Sequence, residues 1–308
     1  MIKINHINKS FGAFQALKDL NLNVKKGEFY SLLGPNGAGK TTCINIISTI
    51  MPASSGSVEI DGYNANRDAN NIKKLIGVVP QEIALYDELT AYENLRFWGK
   101  INNVGTATLK QRIGEVLNFL GLYDQRNKRI SAYSGGMKRR INIAAALLHE
   151  PNVLFMDEPT VGIDPQSRLF IYEKFEDLHK EGKTIFYTSH NMEEVERLSD
   201  RIGIIDHGQL IAEGKVGELK DQLKMEETIL ITTESKMDDS AFKTVLKDFP
   251  NIVMNEKQLM LPSKNTNKDL TILFKIMEKE NIRISHIDIQ KVNLEMIFLK
   301  LTGSKLRE

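Results

Sequence analysis

The 308-residue sequence predicts an α/β fold, with a mixed sheet core that carries an antiparallel β subdomain and a helical subdomain. A small α+β domain follows. Three observations carry this reading. The apolar runs Phe29-Tyr30-Ser31-Leu32-Leu33 and Val153-Leu154-Phe155-Met156 are strand-sized and suit strands covered on both faces. Each leads within a few residues into a longer helical pattern, the alternation expected of α/β units. Beyond about residue 225 the pattern shifts to short strands and helices. The boundary is placed there, giving 1–224 and 225–308, with the helical subdomain at about 84–150.

At the N-terminus Ile2 and Ile4 alternate, as do Leu20, Leu22 and Val24, predicting antiparallel strands before the turn Lys25-Lys26-Gly27-Glu28. Phe11-Gly12 lies between them as an aromatic in a polar loop, read either as a small core contact or as a ring stacked on a ligand base. A helix is expected over 42–50, closed by Pro52. Val58–Ile60 enters a turn at Asp61-Gly62, and Leu75–Val79 is a strand ended by Pro80-Gln81. Gln81 then sits at a strand's carboxyl end, where open α/β sheets gather ligand groups. Thr90-Ala91-Tyr92-Glu93 has the form of a capping box, with helical pattern on to about Gly121. Ser134-Gly135-Gly136 opens a long helix reaching His149. Asp164-Pro165 supplies an N-cap and an N1 proline for a helix to about Lys180. Thr184–Thr188 is a strand ended by Ser189-His190, and 201–206 with 209–212 form a hairpin around His207-Gly208.

In the second domain, strands at 228–232, 252–254, 258–261 and 282–289, the last broken near His286, interleave with helices at 240–249 and 268–280. The order β-α-β-β-α-β is ferredoxin-like. A closing helix over 293–301 places Leu294, Ile297, Phe298 and Leu301 on one face.

The chemistry centres on Gly34-Pro35-Asn36-Gly37-Ala38-Gly39-Lys40-Thr41-Thr42, which fits G-x-x-x-x-G-K-[ST] between an apolar strand and a helix. Glycines there let successive N–H groups converge on one anion, and the helix N-terminus adds partial positive charge. Lys40 adds a full charge, and Thr41 is placed to ligate a magnesium ion between the terminal phosphates. The segment therefore predicts a nucleoside-triphosphate site in a P-loop fold. Asp157-Glu158, at the end of an apolar strand, supplies what that site still needs: Asp157 to hold the metal and Glu158 to accept a hydrogen bond from the attacking water.

Composition is that of an ordinary soluble protein, 41% hydrophobic and 26% charged with net charge +1, so no global field favours nucleic acid or an anionic membrane. No signal peptide is expected from the opening residues, and no apolar run is long enough to form a spanning helix. The single cysteine, Cys43, reads as a small buried side chain and suits a reducing cytoplasm.

Taken in order, these motifs resemble the ATP-binding subunits of ABC transporters over nearly all of residues 1–220. The aromatic loop is at Phe11, the phosphate loop at 34–42, the Q-loop at Gln81 and the signature segment at Tyr133-Ser134-Gly135-Gly136-Met137. The Asp157-Glu158 strand, a D-loop at Gly162-Ile163-Asp164 and a switch histidine at His190 complete the set. The resemblance implies that Phe11, residues 34–42, Ser134, Gly135, Gly136 and Asp164 contact ATP. It assigns Thr41, Gln81 and Asp157 to Mg2+, and Glu158, His190 and Gln81 to hydrolysis. It implies a head-to-tail dimer, the signature of one copy meeting the γ-phosphate held by the other.

The implied partner is an integral membrane permease encoded separately, which places the chain in the cytoplasm on the inner face of the membrane. Three positions depart from the common pattern: Met137 for glutamine, Phe11 for tyrosine, and Gly162-Ile163 at the D-loop start. With the appended domain they resemble the drug- and antibiotic-exporting branch of prokaryotic ABC ATPases, with drugs, antibiotics, peptides or lipids as cargo classes. The competing reading is a soluble ABC-type ATPase acting in translation or DNA metabolism, but no second nucleotide domain, coiled-coil insertion or broad basic surface supports it, and no nucleic acid is expected. The second domain is read as a dimerisation or permease-contact module, a small-molecule sensor, or a stabilising appendage.

Overall fold

A computed structural model describes residues 1–303 and divides them into two units, one of Met1–Lys215 together with residues 301–303, and one of Val216–Lys300. The first unit opens with an antiparallel hairpin, β1 (Ile2–Phe11) and β2 (Phe14–Val24), followed by β3 (Phe29–Leu33) and helix α1 (Lys40–Ile47). Strands β4 (Ser55–Ile60) and β5 (Tyr63–Asn64), helix α2 (Ala69–Leu75) and strand β6 (Ile76–Val79) come next. The helical part comprises α3 (Ala91–Ile101), α4 (Thr106–Phe119) and α5 (Gly135–Leu147). Then β7 (Val153–Asp157), α6 (Pro165–Lys180), β8 (Thr184–Ser189), α7 (Met192–Leu198), β9 (Arg201–Asp206) and β10 (Gln209–Gly214) close it.

Two sheets result. One is antiparallel in the order β2-β1-β4-β5, and the other has six strands in the order β10-β9-β3-β8-β7-β6. Strands β9 to β6 of the larger sheet run parallel, with β10 an antiparallel edge. Its central strands β3, β7 and β8 are buried at every position, as their continuous apolar runs require. The period of two splits them between faces. Tyr30, Phe155 and Phe186 join Ile2, Ile4, Leu20, Leu22 and the α1 residues Cys43, Ile44 and Ile47 in one core. Phe29, Leu154, Met156 and Tyr187 join α5 and α6 and the helical subdomain in the other.

The second unit contains α8 (Val216–Gln222), β11 (Glu227–Thr233), α9 (Asp239–Asp248), β12 (Val253–Asn255), β13 (Gln258–Ser263), α10 (Thr266–Lys279) and β14 (Ile284–Gln290). Helix α11 (Leu294–Thr302) follows, with Leu294, Ile297 and Phe298 buried. The sheet order β12-β13-β11-β14, antiparallel throughout, is the ferredoxin-like one, with its own core of Ile229, Ile231, Leu259, Leu261, Val245 and Leu273.

Several local expectations change. Phe11 is not in an open loop; it ends β1 and pairs with Phe14 across the hairpin turn. The first helix starts at Lys40 rather than 42 and ends at Ile47, well before Pro52. Leu75 belongs to α2, a helix whose single buried residue, Ile72, leaves no apolar period to detect. The helical pattern to Gly121 is two helices, interrupted at 102–105. The break expected near His286 is present: β14 pairs His286 with Thr232 and Ile284 with Thr233, a register irregularity at Ser285.

Candidate active site

The larger sheet brings the phosphate loop, Gln81, Asp157-Glu158 and His190 to the carboxyl ends of four neighbouring strands, β3, β6, β7 and β8. That edge is where open parallel sheets bind ligands. The phosphate loop is held from behind by backbone. Gly208, in the β9–β10 turn, donates its N–H to the Ala38 carbonyl at 3.0 Å, and its own carbonyl accepts from Lys18 N–H at 2.8 Å. Gly39 caps α1 with φ +107°, and a Cβ there would lie 2.7 Å from the Ala16 carbonyl oxygen, so only glycine fits. Gly37 is also left-handed, at φ +79°, but a Cβ on it would meet nothing within 4 Å, which leaves the loop's mouth open.

Lys40 is buried, and its ammonium lies inside the loop. Nζ donates to the carbonyls of Gly34 at 2.8 Å and Pro35 at 3.0 Å, and pairs with Glu158 Oε1 at 2.9 Å. The other carboxylate oxygen of Glu158 lies 3.0 Å from His190 Nδ1. Burying an ion pair costs several kcal/mol of desolvation per ion, so this triad is a poor choice for stability alone. It does place a cation, a carboxylate and an imidazole together at the sheet's edge.

Glu158 also sits at φ +43°, an uncommon conformation for a residue with a Cβ and one that clusters at functional sites. Strand β8 holds it there. The Glu158 N–H donates to the Thr188 carbonyl at 3.2 Å and to Thr188 Oγ1 at 3.1 Å, while the Thr188 hydroxyl donates to Asp157 Oδ1 at 2.6 Å. One threonine therefore orients both carboxylates.

The remaining predicted residues fall into two groups. Thr41 is exposed on the first turn of α1, Thr42 is half-buried and Asn36 is exposed at the loop's mouth; Pro35 and Ala38 are buried in its base. Phe11 is 47% exposed with Lys9 Nζ 5.2 Å from its ring centroid. Phe14, opposite it and also exposed, was not singled out in the sequence, although F-x-x-F around a glycine turn would have marked a pair of aromatics. Gln81 is exposed, and its backbone is pinned: Arg139 on α5 donates to the carbonyls of Pro80 at 2.8 Å and Gln81 at 2.5 Å.

Away from this edge, Ser134 caps α5, accepting from Met137 N–H at 3.3 Å. Gly135 is exposed, and a Cβ on it would touch nothing. Gly136 is different: a Cβ there would lie 2.4 Å from Ser167 Oγ, so its smallness serves the packing of α5 against the start of α6. Asp164 caps α6 by accepting from Ser167 N–H at 2.9 Å, and hydrogen bonds from Ser167 hold its carboxyl below the usual range. Met137 is half-buried against the helical core, and Ile163 is buried in it, so two departures from the common pattern do packing work.

The hard oxygen donors Thr41 and Asp157 suit a magnesium ion, which takes one or two protein ligands and leaves the rest to water and phosphate. Among the described residues no cluster of three metal-ligating side chains competes with that arrangement. Nor is any helix among them long and apolar enough to cross a membrane.

Residues 17–161 match the family described as ABC transporter. Over 312 residues the chain is 43% identical to the linearmycin resistance ATP-binding protein LnrL of Bacillus subtilis (strain 168), covering 100% of both chains. It is 32% identical to the daunorubicin resistance ATP-binding protein DrrA3 of Streptomyces coeruleorubidus, covering 99% of this chain and 97% of that one. It is 33% identical to the Nod factor export ATP-binding protein I of Cupriavidus pinatubonensis (strain JMP 134 / LMG 1197), over 100% of this chain and 92% of that one. Among solved structures, the ATP-binding cassette MJ0796, in a dimeric post-hydrolysis state bound to ADP and Pi, aligns with a TM-score of 0.64 and 31% identity. That alignment covers 70% of this chain and 99% of the other.

Proposed function

The chain belongs to the ABC transporter family of ATP-binding proteins, and on that premise we propose that it energises a separately encoded membrane permease, exporting a drug, antibiotic, peptide or lipid. The observation that carries the hydrolytic part is the meeting of Lys40, Glu158 and His190 at 2.9 Å and 3.0 Å. The export part rests on the relatives, whose names assign them to linearmycin and daunorubicin resistance and to Nod factor export.

In this reading the ammonium of Lys40 exchanges the Gly34 and Pro35 carbonyls for phosphate oxygens, which are the stronger, charge-assisted partners. Glu158 loses its cation and is left to accept a hydrogen bond from a water. His190, fixed by the same carboxylate, faces the terminal phosphate and contributes to holding the transition-state charge. Thr41 and Asp157, with Gln81 near them, would hold Mg2+, which would supply charge neutralisation on the phosphates. Phe11 offers its ring face to adenine. Ser134, Gly135 and Gly136 of a second copy, with that copy's Asp164, complete the site head to tail. The permease places the pair on the cytoplasmic face of the membrane.

The test is co-expression with a candidate permease, a membrane protein of several spanning helices. The full chain is expected to sediment with membranes only when that protein is present, and to hydrolyse ATP with Mg2+. Sedimentation with ribosomes or DNA, indifferent to the membrane protein, would instead support the soluble alternative.

A further inference from the structure

Glu194, on the first turn of α7, is buried to 4% exposure, and its carboxylate accepts hydrogen bonds from three hydroxyl groups. Oε2 accepts from Thr160 Oγ1 at 2.7 Å and from Tyr172 OH at 2.6 Å; Oε1 accepts from Ser189 Oγ. Those hydroxyls come from three separate segments. Thr160 lies two residues after Glu158, Tyr172 is on α6, and Ser189 immediately precedes His190. Because Thr160 gives its single proton to Glu194, the Tyr187 hydroxyl 3.2 Å away must be the donor in the contact between them. A second link runs from Ser189. Its hydroxyl oxygen accepts the Asn191 N–H at 2.8 Å, and its carbonyl accepts the Gly34 N–H of the phosphate loop at 3.3 Å.

A carboxylate is a good hub for such a network, since it offers about four acceptor sites and no donor, so every neighbouring hydroxyl is forced to point toward it. Charge-assisted hydrogen bonds are also roughly twice as strong as neutral ones. Burial, with the adjacent Glu194 carboxylate adding to it, raises the pKa of the Tyr172 and Tyr187 phenols, so both remain protonated donors, and a carboxylate buried among hydroxyls is a costly arrangement. Residues that merely fill space do not require it.

We propose that Glu194 is a positioning residue for ATP hydrolysis, holding the backbone that carries Glu158 and the backbone that carries His190 at a fixed separation through Thr160 and Ser189. Glu194 itself faces neither the phosphate loop nor Lys40 in any described contact. Its effect is exerted through the 3.0 Å pairing of Glu158 with His190. The proposal rests on the reading of those two residues as the hydrolytic pair.

The experiment uses the full chain and four substitutions: Glu194→Ala, Glu194→Gln, Thr160→Val and Ser189→Ala. Glu194→Ala is expected to lower kcat by about tenfold or more while ATP affinity changes by less than about threefold, the signature of a lost transition-state interaction. Glu194→Gln, which keeps an acceptor for Thr160 and Tyr172, is expected to recover to within about threefold of wild type. Thr160→Val and Ser189→Ala, which leave the fold's volume nearly intact, should each reproduce part of the drop. Neither should add to it in the Glu194→Ala background, because members of one network are not additive.

Amide exchange gives a second readout, independent of turnover. Without Glu194 the Glu158 and Asn191 N–H groups should gain more in exchange rate than those of β7 and β8. Independent, multiplicative losses, or parallel loss of affinity and kcat with no local change in exchange, would overturn the proposal. Wild-type protein that hydrolyses no ATP would instead sink the ATPase reading, and the exchange pattern would still decide for or against Glu194.

Discussion

Each side chain at the sheet's edge has one task set by its neighbours. Glu158 is tied to Lys40 on one oxygen and to His190 on the other, so Glu158→Gln preserves shape while removing the negative charge. Turnover is expected to fall by about two to four orders of magnitude, with ATP binding retained, as steady-state hydrolysis and equilibrium nucleotide binding will show. Cys43 makes a separate prediction. Burial pushes its thiol up to about 12 from an ordinary 9.0. The folded chain therefore keeps a proton that the unfolded chain loses above about pH 9, and stability should fall as pH rises from about 9 to 12. The slope approaches about 1.4 kcal/mol per pH unit for this one group, and Cys43→Ala should flatten it by that amount in denaturant titrations. A thiol reagent should label Cys43 at neutral pH only after unfolding.

At the scale of elements, the segment between β6 and α3 has no regular structure, yet side chains fasten it at several points. Asn94 on α3 is fully buried, donates to the Tyr86 carbonyl at 3.0 Å and accepts the Tyr86 N–H at 2.8 Å. Asn142 on α5 accepts the Ala84 N–H at 3.2 Å, and Arg139 holds Pro80 and Gln81. Asn94→Ala is expected to cost about 2–4 kcal/mol, since it strands buried polar groups, and to speed amide exchange at Tyr86 by mass spectrometry before the sheet is affected.

Much of this scale was legible beforehand because the signals are local. The Thr90–Glu93 capping box forms in both directions, and Asp164-Pro165 opens α6 as its N-cap and N1 pair should. The elements that escaped are short and weakly patterned: α2 is Asn- and Lys-rich, and α7 is seven residues long with three buried positions. The Lys40–Glu158 contact was legible only in its parts. The motifs mark both residues, but the pairing depends on β3 and β7 flanking β8, a matter of strand order that no local spacing encodes. Glu194 left no signal, because a Glu-Glu pair early in an amphipathic helix ordinarily faces water.

For the whole molecule, the separation of the two segments proposed to face phosphate is the central point. Lys40, Glu158 and His190 gather at the sheet's edge, while Ser134 and Gly135 open α5 elsewhere, with none of their described hydrogen bonds reaching the phosphate loop. Gly135 faces solvent with room for a side chain, so Gly135→Asp should leave the isolated chain folded and able to bind nucleotide. If a second copy's phosphates approach Gly135, the added carboxylate should repel them and lower turnover by about a hundredfold or more.

The measurement that bears most directly on the composite site is the mass of Glu158→Gln by light scattering, with and without saturating Mg-ATP. The composite site predicts a monomer without nucleotide, a dimer with it, and a return to monomer when Gly135→Asp is added. A Glu158→Gln chain that stays monomeric at saturating Mg-ATP, or a dimer unaffected by Gly135→Asp, would contradict it.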